Sequence, residues 1–125
     1  MAPQRGATQV VVQIEQHART LPGKPVMFVQ DTLLERADGF AFDSAGTLRV
    51  VANERNTIVT VTADGKVQEI AKNGSHGPLE FPSAIVFVGN TAYISNNDTP
   101  RRDNMDANGK TALDGIGASI AQITP

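Results

Sequence analysis

Residues 37–53, ADGFAFDSAGTLRVVAN, lie over residues 82–97, PSAIVFVGNTAYISNN, with a single gap. Asp38 falls on Ser83, Phe42 on Phe87, Val50 on Ile94 and Asn53 on Asn97. The offset is 45 residues before the gap and 44 after it. No other feature of the chain restricts its fold as much. A unit that recurs every 40–50 residues must pack on its own copies, because one such unit is too small to bury both of its faces. With four strands per unit, that period is the signature of a propeller blade.

The strand count agrees with this period. Apolar and polar residues alternate in short runs rich in β-branched side chains, near 9–14, 25–30, 38–43, 47–52, 57–62, 66–71, 84–88, 91–95 and 117–123. Pro22-Gly23, Ala45-Gly46, Asp64-Gly65 and Gly89-Asn90 separate them; Asp and Gly tolerate the positive φ of tight turns. No segment sustains a helical period, and TLLERAD at 32–38 suits one helical turn. The expected fold is all-β: a partial β-propeller of about two and a half four-stranded antiparallel blades. Residues 9–30 form the outer half of one blade, 38–71 a complete blade and 84–123 an incomplete one.

The run ADGFAFDSAGTLRVVANERNTIVTVTADGKVQEI resembles a blade of the gluconolactonase and regucalcin (senescence marker protein) propellers. GPLEFPSAIVFVGNTAYISN, residues 77–96, resembles the blade that follows. NHL-repeat proteins share the same strand-start and turn pattern, so a non-catalytic binding propeller of that kind, or an inactive fragment, is the alternative reading. The resemblance implies a six-bladed propeller with a divalent metal, usually calcium, in its central channel, and hydrolysis of sugar lactones or related esters. It also implies that Asp38, which matches the family's Asp-Gly aspartate at the start of an innermost strand, is a metal ligand. The chain holds about two and a half blades, and Ser83, a poor ligand, stands at the corresponding position one blade later.

Other polar residues invite a chemical reading. Asn53, Asn96, Asn97 and Asp98 follow the second strands of their blades, where loops reach a channel mouth. Asn53 and Asn97 are the candidate substrate-binding residues, against the alternative that this group caps turns. NMDANGKTALDG at 104–115 places Asn104, Asp106, Asn108 and Gly109 at positions 1, 3, 5 and 6 of a calcium loop, but Gly115 holds the place of the bidentate Glu. It reads as a polar insertion between two strands. His76 follows Ser75 in a linker, and adjacent residues rarely form a catalytic pair. His17 reads as a surface residue.

A net charge of −2 offers no electrostatic case for nucleic acid or an acidic membrane. With no cysteine, disulfides and thiol catalysis are excluded. MAPQRGATQVVVQIEQ is neither a signal peptide nor a membrane span. The expected partners are a small lactone or ester, and either missing blades or further copies that complete a ring. Phe81, Ile85, Phe87, Tyr93 and Ile120 are then expected at an open blade face or edge.

Overall fold

The structure is a computed structural model and describes residues 9–16 and 22–124; His17 lies outside the described residues. Among the described residues, nine antiparallel strands form three sheets in chain order. Strands β1 (Gln9–Gln16) and β2 (Pro22–Asp31) pair as a hairpin. Strands β3 (Ala37–Phe42), β4 (Leu48–Ala52), β5 (Thr57–Val61) and β6 (Val67–Lys72) make a four-stranded meander. Strands β7 (Pro82–Val88), β8 (Thr91–Asn96) and β9 (Ser119–Ile123) make a three-stranded one. The fold is all-β, with short 3-10 turns at Thr32–Leu34, Asn53–Arg55 and Arg102–Asn104. The helical turn expected within 32–38 is the first of these.

The two inner strands of the middle sheet, β4 and β5, are covered on both faces. In β4 and β5, LRVVA and TIVTV, every residue but Arg49 is aliphatic or β-branched, so either face offers apolar side chains. Val51 and Ile58 face the third sheet and join Leu79, Ile85, Ala92, Ile94 and Ala121 in one core. Leu48, Val50, Val59 and Val61 face the other way and meet Leu34, with Phe28 and Val29 of β2 packed alongside. Each fully buried aliphatic side chain contributes about 1.5–3 kcal/mol.

The sequence repeat is written into the backbone. Arg36 and Phe81 both adopt left-handed φ, 63° and 51°. The Asn53 N–H donates to Arg36 O at 3.0 Å, and the Asn97 N–H to Phe81 O at 3.2 Å. Ala37 pairs with Ala52 as Pro82 pairs with Asn96. A left-handed non-glycine residue costs about 1–3 kcal/mol, so the same corner twice over marks a shared local constraint. Gly39 sets how closely the two sheets approach. A Cβ there would lie 2.6 Å from Ser83 O and 2.7 Å from Ala84 Cα. Only a glycine lets the start of β3 touch the start of β7.

One expectation needs correction. Ile85 is buried in the core between the sheets, and Phe87 packs against that core. Alternation along β7 sends Val86 and Val88 to the free face instead, with Ile120 of β9. The sequence pattern identifies the alternation but not which set faces inward.

Candidate functional site

The rim where β3 and β7 begin gathers the sequence candidates. Asp38, the second residue of β3, is exposed, and its Oδ2 accepts a hydrogen bond from Asn53 Nδ2 at 3.3 Å. Asn53 stands where β4 gives way to its 3-10 turn, held there by the Arg36 corner. Its Oδ1 is shielded from solvent and has no hydrogen-bond partner among the described residues. A buried carbonyl oxygen in that state carries a cost of about 1–3 kcal/mol, and a positioned acceptor of this kind suits a ligand.

The equivalent pair in the third sheet repeats the contact. Ser83 Oγ donates to Asn97 Oδ1 at 3.3 Å and lies 2.9 Å from Ser95 Oγ. The close approach of Gly39 to Ser83 sets the two pairs side by side. Asp38, Asn53, Ser83 and Asn97 therefore share one rim, with one carboxylate among them. All their donor atoms are hard oxygens, the kind that calcium selects from carboxylates and amide carbonyls.

Other candidates take structural roles. Asn96 is buried: its Oδ1 accepts from the Glu80 N–H at 3.0 Å and its Nδ2 donates to Pro78 O at 2.8 Å. The 104–115 segment is the polar insertion expected between β8 and β9. Within it, Asp106 Oδ1 accepts from the N–H groups of Lys110 and Thr111, which hold its pKa below the usual carboxylate value against the opposing effect of desolvation. Asn104 is buried and exchanges two side-chain hydrogen bonds with Asn56, at 2.7 and 3.0 Å. Ser75 is buried and its neighbour His76 exposed, so the two occupy different environments.

Glu80 is the residue that pattern reading missed. Its carboxyl is sealed, with 1% of the residue exposed, and Oε2 accepts from the Ile116 N–H at 2.6 Å. Burial pushes its pKa up; the Ile116 N–H opposes this, the neighbouring Asp98 adds to it, and His76 pulls the other way. Gly115 leaves the space this carboxyl fills, because a Cβ there would run into it. A lone acid between Leu79 and Phe81, in an apolar tract just before Pro82, was the available signal.

Comparisons of the chain with family models, curated proteins and solved structures return no match. Among the described residues, no helix is long and apolar enough to cross a membrane.

Proposed function

We propose that the chain is a portion of a β-propeller similar to gluconolactonase and regucalcin, serving metal-dependent hydrolysis of a sugar lactone or related ester. The carrying observation is the exposed Asp38 carboxylate, hydrogen-bonded to Asn53, whose Oδ1 is shielded and unpartnered. In this reading β3 and β7 are the innermost strands of successive blades, and the shared rim faces the channel. Asp38 and Asn53 Oδ1 are the residues here that fit a calcium ion, as two of the six to eight oxygens it takes. A divalent metal, when bound, polarises the substrate carbonyl and lowers the pKa of a bound water. Asn97 and the Asn53 amide orient the substrate by hydrogen bonds to its hydroxyls.

Ser83 favours a second reading. It replaces an acid with a hydroxyl at the position one blade after Asp38, which suits a non-catalytic binding propeller of the NHL kind. Calcium titration by calorimetry tests the first reading. Wild-type chain is expected to bind with a Kd of about 1 mM, the weak end of calcium sites, and Asp38→Ala to weaken it at least tenfold. No heat from the wild type, or an unchanged Asp38→Ala titration, removes Asp38 from the metal site.

A further inference from the structure

Two apolar surfaces of this chain are related by its internal repeat. In β3, Phe40 and Phe42 are 59% and 64% exposed, although they point to the same side as the buried Val50 and Leu48 opposite them. The β1–β2 hairpin reaches that side through Phe28 and Val29 but leaves these two rings open. The 45-residue offset puts Phe40 at Ile85 and Phe42 at Phe87. Those two residues pack, in the third sheet, against the Ala41 and Val51 face of the middle sheet. The same offset puts Ala41 at Val86. Val86 and Val88, 56% and 67% exposed, lie on the third sheet's free face.

The exposed rings are thus one half of an interface that the chain already forms once, and the free face of the third sheet is the other half. We propose that the Phe40–Phe42 surface of one copy of this chain docks on the Val86–Val88 surface of a second copy, repeating the internal sheet-on-sheet contact between molecules. The contact is heterologous: each copy contributes a different patch, so every pair leaves one patch of each kind free for another copy. Exposed contiguous apolar surface of this sort marks an interaction site. The inference rests on the blade-like repeat behind the proposed function, but requires no metal and no catalysis.

Sedimentation velocity on the full chain tests it. Wild-type chain is expected to sediment as concentration-dependent dimers and larger species. Phe42→Glu and Val86→Glu each spoil one patch, so each variant alone is expected to be monomeric with a wild-type far-ultraviolet dichroism spectrum. A one-to-one mixture retains one good patch of each kind and is expected to form dimers that grow no further. A monomeric wild type, a Phe42→Glu variant that still self-associates, or a mixture that stays monomeric overturns the proposal. If either glutamate variant loses its spectrum, Phe42→Ser and Val86→Ser replace them with the same expected outcomes. Loss of calcium binding in Asp38→Ala leaves these results unchanged, so a failure here is separable from a failure of the metal site.

Discussion

Gly39 shows how one missing side chain places a site. Its absent Cβ allows the β3 backbone to touch Ser83 and Ala84, which brings the Asp38 and Ser83 pairs together. Gly39→Ala drives a methyl carbon into backbone that has no rotamer to move. We expect it to cost about 2–4 kcal/mol, in the range of an overpacked or strained site, measured by urea unfolding. It should also weaken any ligand that bridges the two pairs. A loss under 0.5 kcal/mol would show that the sheets part freely. Asp43 is a quieter case. Its Oδ1 accepts from the N–H groups of Ala45 and Thr47, and its Oδ2 from Arg49 at 2.9 Å. These contacts outweigh its desolvation and lower its pKa.

Among the elements, the insertion between β8 and β9 is tied to the middle sheet by a buried pair, Asn56 and Asn104, and at the surface by the Lys72–Asp103 ion pair. Asn56 also accepts from the Phe81 N–H at 2.8 Å, so one amide links the end of a turn, the insertion and the corner before β7. Asn104→Ala strands a buried amide. We expect a loss of about 2 kcal/mol in chemical unfolding, with protease cleavage appearing first between residues 105 and 115. Cleavage that begins elsewhere would show that the insertion is held by other contacts. The strands were legible because TIVTV, LRVVA and PSAIVFV alternate or saturate in β-branched residues between recognisable turns. The Asp38–Asn53 contact was legible in part, since the repeat aligned both residues with Ser83 and Asn97. The Asn56–Asn104 pair was not: its partners are 48 residues apart, and asparagine in a loop ordinarily reads as solvated. Glu80 escaped for a related reason, because its burial depends on a glycine 35 residues later leaving room.

At the scale of the whole molecule, pH separates two kinds of carboxylate. Glu80 has a raised folded pKa, so its contribution is fully present below the unfolded value of about 4.3 and is lost as pH rises through the folded pKa. Asp43 has a lowered one, so its contribution is present above an unfolded value near 3.9 and is lost as pH falls through the folded pKa. Stability should therefore peak in mild acid. Glu80→Gln keeps an oxygen for the Ile116 N–H and removes the titration. We expect it to raise the Tm at pH 7 by about 4 °C, roughly 1 kcal/mol for a domain of this size, with the gap closing toward pH 4. A gap that widens toward pH 4 would reverse the assigned direction. The repeat itself has a consequence for how such a chain can change over generations. Five residues lie between Phe42 and Leu48 and four between Phe87 and Ala92, yet the corners at Arg36 and Phe81 superpose in kind. The hairpin tips thus differ by one residue, whereas at the rim end four residues join β4 to β5 and 22 join β8 to β9. The corner bonds at Arg36 and Phe81 are kept in both sheets, so the loop leaving Asn97 carries a long insertion while Asn53 and Asn97 hold equivalent places.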